Sequence, residues 1–360
     1  MSDPGPKVPA DQRPGRAAST NEASRFEPYA RLAVDDGWAR DEDLPPVRTE
    51  VTEERPRKVI TANASPDVPF DRSLNPYRGC EHGCIYCFAR PTHAYLGLSP
   101  GLDFETRLIA KPQAPGLLAR ELGARGYVPQ VLAIGTNTDP YQPVERDRRI
   151  MRGLLEVLSD HGHPVTITTK GTLIERDLDL LAPLAQRGLV SVGLSVTTLD
   201  PAVSRAMEPR VPSPARRLAT IRRLALAGVP VRIQVSPVVP ALTDHELESI
   251  LAAGAEAGAR AASMIVLRLP REVAGLFRDW LEERFPDRAA RVMGRVRELH
   301  GGRDYDPEWG TRMTGQGEWA RLLAARFDLA KRRLGFAPLP PLRTDLFRVP
   351  KGPDPQLSLF

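Results

Sequence analysis

The sequence predicts an α/β fold, a partial (β/α)6 barrel of the TIM type, and two patterns carry that expectation. Short β-branched runs recur at 131–134, 165–169, 190–196, 231–235 and 264–267. Segments with helical apolar spacing lie between them, at 150–158, 173–184, 215–227 and 245–257. Strands alternating with helices pair in parallel through right-handed crossovers. One more strand, leading into a cysteine loop near residue 80, brings the count to six. Six units fit a partial barrel better than a doubly wound sheet, although strand number alone does not decide between them.

Taken in order, residues 1–57 are rich in Pro, Arg, Asp and Glu and show no lasting periodicity. They read as a mostly disordered arm draped over the domain. Within the arm, Phe26, Tyr29 and Leu32 stand at three-residue spacing, enough for one docked helical turn, while Pro28 opposes a longer helix. The barrel is expected over 58–269, a helical Arg-rich extension over 270–336 and a Pro-rich tail over 337–360.

Bulk properties narrow the class. The 360 residues are 41% apolar, enough for a sizeable core. There is no run of roughly eighteen apolar residues, so no membrane helix is expected. The start, Met1 to Gly5, has no apolar segment of the secretory kind, which points to the cytoplasm. The three cysteines fall within eight residues, whereas a disulfide scaffold spreads an even number along the chain. The net charge of +5 permits a polyanionic partner without showing one.

The cysteine loop, 75–87, reads Asn-Pro-Tyr-Arg-Gly-Cys-Glu-His-Gly-Cys-Ile-Tyr-Cys. Its C-x3-C-x2-C spacing brings the thiols of Cys80, Cys84 and Cys87 together, and Gly79 and Gly83 let the backbone curl tightly. Three thiolates hold three corners of an iron–sulfur cubane and leave the fourth iron open, where an electron carrier supplies four. A zinc site that recruits His82 or His93 is the alternative. Buried structural cysteines suit a loop this polar and glycine-rich less well.

The C-x3-C-x-aromatic-C loop resembles the radical S-adenosylmethionine (SAM) superfamily. From Asn63 to Arg268 the string resembles its spore-photoproduct-lyase-like branch. The resemblance implies a 4Fe–4S cluster on Cys80, Cys84 and Cys87, with SAM chelated to the open iron. It further implies reductive cleavage of SAM to methionine and a 5′-deoxyadenosyl radical, fed by a donor such as flavodoxin or ferredoxin. Tyr86 stands where the family places an aromatic against the adenine; a core aromatic is the plainer reading.

Other SAM contacts follow from the same resemblance. The loop Thr136-Asn137-Thr138-Asp139-Pro140 looks like the counterpart of the family's Gly-Gly-Glu-Pro segment, which is itself absent here. Thr136, Thr138 and Asp139 are its candidates. The alternative is a simple turn, with Glu145 in the first turn of the next helix. Lys170 is a candidate for the SAM carboxylate or else a solvated lysine. Ser195 is implied at the ribose, with Gln234 and Ser236 lining the cofactor or filling the barrel. The absence of a fourth cysteine leaves no ligand for a cysteine-bound auxiliary cluster and no thiol hydrogen donor. Tyr95, Tyr141, Tyr305 or the adenosine itself would then quench a substrate radical.

The last residues, Gln356, Leu357, Ser358, Leu359 and Phe360, resemble the short motif with which bacterial repair proteins bind the sliding clamp. A tail folded back on its own domain is the alternative. Arg284, Arg288, Arg291 and Arg295 recur at helical spacing and suit phosphates, but Glu282, Glu283, Asp287 and Glu298 between them suit an ion-paired face equally. The expectation is a radical SAM enzyme acting on nucleic acid in a repair-like reaction. The same chemistry on a protein or small molecule, and a zinc-bearing DNA-binding or scaffold protein without catalysis, are the alternatives.

Overall fold

The computed structural model describes residues 7–26 and 46–350. Its strands are β1 (Glu50–Glu53), β2 (Thr61–Ala62), β3 (Arg72–Leu74), β4 (Tyr77–Arg78), β5 (Arg107–Ala110), β6 (Leu132–Ile134), β7 (Val165–Thr169), β8 (Val190–Ser195), β9 (Val231–Val238) and β10 (Ala261–Val266). Across the main sheet the order is β10-β9-β8-β7-β6-β3-β2. Strands β3 and β6 to β10 run parallel, and β2 pairs antiparallel with β3 at one edge. Each parallel strand lies beside the next one in sequence. That one-directional winding belongs to a barrel, whereas a doubly wound sheet reverses its order midway. The partial barrel stays open between β10 and β2. A small second sheet has the order β1-β5-β4.

Helices α1 (Leu102–Thr106) and α2 (Ala114–Leu122) precede β6, and α3 (Glu145–Arg148) and α4 (Ile150–Asp160) lead to β7. Then α5 (Leu178–Gln186) leads to β8, α6 (Pro201–Met207) and α7 (Pro214–Leu226) to β9, and α8 (Leu247–Glu256) to β10. The expected helices at 173–184 and 245–257 both begin as 3-10 turns, Thr172–Asp177 and Asp244–Glu246. Two helix starts have the expected chemistry. Asp200 accepts from the N–H groups of Ala202 and Val203 before Pro201, and Ser213 accepts from Arg216 N before Pro214.

Alternation along the strands sets the inner and outer faces. In β9, Val231, Ile233 and Val235 are buried while Arg232, Gln234 and Ser236 are half-buried. In β7, Val165 and Ile167 are buried while Thr166 and Thr168 are not. The apolar set packs with Leu154, Leu155 and Leu158 of α4 and Ile221 and Leu224 of α7 in the main core. Each of these side chains contributes about 1.5–3 kcal/mol on burial. The other set is polar, as suits the inner face of an open barrel.

After β10 come α9 (Val273–Arg284), α10 (Pro286–Leu299) and α11 (Gly317–Arg333). Phe277, Trp280 and Leu281 of α9 share a second core with Cys84, Ile85 and Tyr86. The extension therefore backs the cysteine loop. Arg284 and Arg295 pair with Glu283 and Glu298, which favours the ion-paired face for these two.

The N-terminal arm differs from the expected disorder in its described parts. Ala17 and Ala18 are buried, Arg13 pairs with Glu283 at 2.8 Å, and β1 pairs in parallel with β5. The cause is the fully buried carboxylate of Glu105, which accepts the N–H groups of Ala17 and Ala18 at 3.1 and 3.0 Å. Tyr29, Leu32, Gln356, Leu357, Leu359 and Phe360 lie outside the described residues.

Candidate active site around the cysteine loop

Strand β3 and the short β4 deliver the chain to Cys80 at the C-terminal end of the barrel strands, where βα-loops form sites. Gly79 and Gly83 have φ of +76° and +66°, and a Cβ at Gly83 would lie 2.7 Å from Glu105 Oε2. Both turns therefore require glycine. Within the loop, Gly83 N donates to Cys80 O and Cys87 N to Cys84 O. From outside, Cys80 N donates to Phe104 O and Ile85 N to Met207 O.

Arg90, fully buried, frames the loop. It donates to the carbonyls of Gly83 and Cys84 on one side and Pro100 and Gly101 on the other, and pairs with Glu105 at 2.6 Å. Gln142 clamps the opposite side, accepting from Glu81 N at 2.8 Å and donating to Gly79 O at 3.1 Å.

The three thiols share one environment. Burial pushes Cys80 well up, and Asp139, Cys84 and Cys87 add to the rise. Burial likewise raises Cys84 and Cys87, opposed at both by Lys170. The N–H of Asp139 at Cys80, and those of Ala89 and Arg90 at Cys87, favour the thiolates. Three thiol donors in one short loop, N–H groups at sulfur and a nearby ammonium are the donor chemistry a three-cysteine iron–sulfur site needs, so these residues fit such a cluster. Each histidine of the zinc alternative has one ring nitrogen beside another group. His82 Nδ1 lies 3.3 Å from Asp139, and His93 Nε2 lies 3.0 Å from Arg107 O. Among the described residues no group of three His, Cys, Asp or Glu side chains, the three thiols included, is already drawn together around a metal position.

Around the thiols, Tyr86 is buried and its hydroxyl donates to Glu208. Glu208 pairs with Arg217 at 2.8 Å, and both are wholly buried. Arg217 also donates to Ser195 O and to Ser204 Oγ, each at 2.9 Å. Burial pushes the Glu208 carboxyl up, but Arg217 and Lys170 outweigh it and hold it below its ordinary value. Lys170 Nζ lies 5.8 Å from the centre of the Tyr86 ring.

Of the three loop residues expected at the SAM amino group, Thr136 lines a cleft beside the loop. The other two spend their side chains on the protein. Thr138 is buried and donates to Tyr77 O at 2.9 Å. Asp139 accepts from Thr169 Oγ1, Tyr141 N and Lys170 N at 2.6, 2.9 and 2.7 Å. Burial raises its carboxyl, but His82 and these donors bring it below the ordinary value. Glu145 opens α3, the first-turn place foreseen for it, and its carboxylate also accepts from Ile150 N and Met151 N at the start of α4. Ser195 Oγ donates to Gln234 Oε1 at 3.2 Å across β8 and β9. Among the tyrosines, Tyr305 lines the cleft, Tyr141 is buried on Asp177 and Tyr95 is exposed.

Sequence reasoning missed Glu208, Arg217, Arg90, Glu105 and Gln142. Only Arg217 left a signal. It shares the apolar face of α7 with Thr220, Ile221 and Leu224, and a cation there needs a buried partner.

A family model, the radical SAM superfamily, matches residues 74–253. An uncharacterized protein of Mycobacterium tuberculosis strain H37Rv is 41% identical over 235 residues, 65% of this chain and 68% of the relative. One of Methanocaldococcus jannaschii is 24% identical over 199 residues, 55% of this chain and 71% of the relative. Among solved structures, spore photoproduct lyase complexed with dinucleoside spore photoproduct superposes with a TM-score of 0.57 at 16% identity, covering 84% of this chain and 86% of that one. A spore photoproduct lyase mutant with bound AdoMet and the same dinucleoside gives 0.55 at 16% identity, covering 79% and 80%. At such identity the likeness is one of fold. With the matched model spanning half its length and the mycobacterial relative aligned over more than two thirds of its own, the chain belongs to the radical SAM superfamily.

Proposed function

We propose that Cys80, Cys84 and Cys87 hold a 4Fe–4S cluster, that SAM binds beside them, and that the enzyme acts on nucleic acid in a repair-like reaction. When bound, cluster and SAM supply a carbon radical able to abstract a hydrogen atom from substrate. The chain's residues bind and orient. Lys170 offers a point positive charge for the SAM carboxylate. Tyr86, fixed by Glu208, offers a ring of set orientation for the adenine. Ser195 and Gln234 offer polar groups from the inner strand face for the ribose, and Thr136 offers a hydroxyl at the mouth. The arm and the α9 core shield the loop from water on two sides.

The observation that carries this reading is the C-x3-C-x2-C loop itself, wound at Gly79 and Gly83 and framed by Arg90 and Gln142. The nucleic-acid substrate rests on the likeness to spore photoproduct lyase, whose structures carry a dinucleoside photoproduct. It also rests on a basic cleft next to the loop. No described helix is long and apolar enough to cross a membrane. The test is anaerobic reconstitution, then reduction with SAM and measurement of 5′-deoxyadenosine against Cys84→Ala. Cluster-dependent 5′-deoxyadenosine supports the reading; a colourless zinc protein that leaves SAM intact overturns it. Substrate-stimulated cleavage by a protein extract or metabolite pool, but not by damaged DNA, moves the substrate to the second class.

A further inference from the structure

Beside Phe88, which follows Cys87, lies a cleft of about 560 Å³. Its walls come from the segment carrying Asn63 and Asn75 and from the segment carrying Arg268 and Tyr305. No Asp or Glu lines it, while Arg78, Lys111, Arg268 and Arg312 do. Two of these cations are neutralised within the protein, Arg78 by Glu54 at 2.7 Å and Arg312 by Asp67. The other two form no salt bridge among the described residues, although Glu54 acts on Lys111 and Asp67 on Arg268 from farther off. Lys111 donates to the Asn75 carbonyl at 3.1 Å, and the Arg268 guanidinium lies 4.5 Å from the centre of the Phe88 ring.

Burial lowers both groups from their ordinary values; Arg78 adds to the effect at Lys111 and Glu54 opposes it, while at Arg268 Tyr305 and Asp67 oppose it and Arg312 adds. Half-buried cations with no carboxylate in direct contact are costly, and this chain pairs its fully buried guanidiniums, Arg90 and Arg217, directly with Glu105 and Glu208. We propose that Arg268 and Lys111 form an anion subsite that holds a phosphate of the substrate beside Phe88 and the cysteine loop. Contact with Phe88 restrains the guanidinium plane and leaves N–H groups for a bidentate contact with phosphate oxygens. Asn63, Asn75, Asn137 and Tyr305 supply neutral hydrogen-bonding groups around it. The proposal deepens the nucleic-acid reading and rests on it for the source of the phosphate, a phosphodiester of a strand. A free phosphomonoester has the same chemistry.

The test uses the reconstituted full-length enzyme under anaerobic conditions. A fluorescein-labelled single-stranded oligonucleotide is titrated by anisotropy across a salt series, and thymidine monophosphate is titrated by calorimetry. The variants are Arg268→Ala, Lys111→Ala and Arg268→Lys, each checked for iron content and circular dichroism. The subsite predicts strand binding about tenfold weaker in each alanine variant, with Arg268→Lys between. It also predicts a log–log salt slope shallower by about 0.7 per lost contact, which mere loss of shape would not produce. Strand binding with unchanged affinity and slope in folded variants overturns the subsite and leaves the nucleic-acid reading intact. If the wild type binds only the mononucleotide, and Arg268→Ala abolishes that, the subsite stands and the strand reading falls. If neither probe binds the wild type, both fall.

Discussion

The hydroxyl of Tyr86 donates to the carboxylate of Glu208, and the same carboxylate is paired with Arg217 at 2.8 Å with no solvent access to either charge. The aromatic next to the third cysteine is thereby fixed by an ion pair between the α6–α7 connection and α7 itself. Removing one member of a buried pair leaves the other charge uncompensated, at about 3–5 kcal/mol. Glu208→Gln is expected to lower the thermal midpoint markedly and to weaken SAM binding measured by calorimetry. Tyr86→Phe is expected to cost less, about 1–3 kcal/mol. Additive costs in the double variant would show that the two side chains do not act together.

His163 gives a pH dependence away from the thiols. It is fully buried, its Nδ1 lies 3.0 Å from Pro164 O, and its Nε2 lies 2.8 Å from the Tyr127 hydroxyl. A neutral ring satisfies both contacts, donating at Nδ1 and accepting at Nε2. Burial pushes its pKa down from 6.5 to about 4, against the pull of Pro164 O and with His161 and Arg72 adding to the drop. The unfolded chain then binds more protons between those values, so stability is full above pH 6.5 and falls as pH drops toward about 4. The ceiling is about 3 kcal/mol, at about 1.4 kcal/mol for each pH unit. Urea midpoints of wild type and His163→Phe measured at pH 7 and pH 5 check this. The variant should lose less than the wild type over that interval.

The barrel was legible because its strands are short β-branched runs and its helices carry apolar spacing near 3.6, so 165–169 and 190–195 are strands where those runs stand. Winding order was not legible, since nothing local distinguishes sequential neighbours from a sheet that reverses. At the site, spacing alone singled out Cys80, Cys84 and Cys87 as the candidate ligands. It did not find Arg90 and Glu105, whose pairing spans fifteen residues of irregular chain. Nor did it find that Asp139 is a hub for Thr169, Lys170 and His82, because a Thr-Asp-Pro turn reads the same whether its carboxylate faces a ligand or a neighbouring loop. The arm misled by composition. A polar, Pro-rich segment buries little of its own, yet its backbone N–H groups serve a carboxylate that lies far along the chain.

The terminal residues Gln356, Leu357, Leu359 and Phe360 are expected to bind the bacterial sliding clamp as a short peptide. A tail this apolar gains most by seating its last two side chains in a preformed groove. Titration of the C-terminal peptide against clamp should saturate, and Phe360→Ala should weaken it at least about tenfold, as loss of an interface anchor does. Equal binding by both peptides removes the motif as an argument for a replication or repair partner.

The arm and the frame of the cysteine loop make one mechanical unit. Arg90 spends its guanidinium on four carbonyls and Glu105, and Glu105 completes its shell with Ala17 N and Ala18 N. Deleting residues 1–20 leaves that carboxylate short of two donors, and each unmet buried bond costs about 1–3 kcal/mol. Arg90→Lys keeps the charge but not the planar fork, so it cannot reach four carbonyls and a carboxylate together. Both changes are expected to loosen the path from Gly83 to Cys87 and to shorten the time over which reconstituted protein keeps its iron in air. Iron and sulfide assays along a time course of air exposure measure this directly. Glu105→Gln separates charge from shape, since an amide of the same size can still accept one N–H but leaves Arg90 unpaired. If Glu105→Gln and the deletion each lose iron no faster than the wild type, the arm only covers the surface, and the loop is held by Gln142 and the α9 core alone.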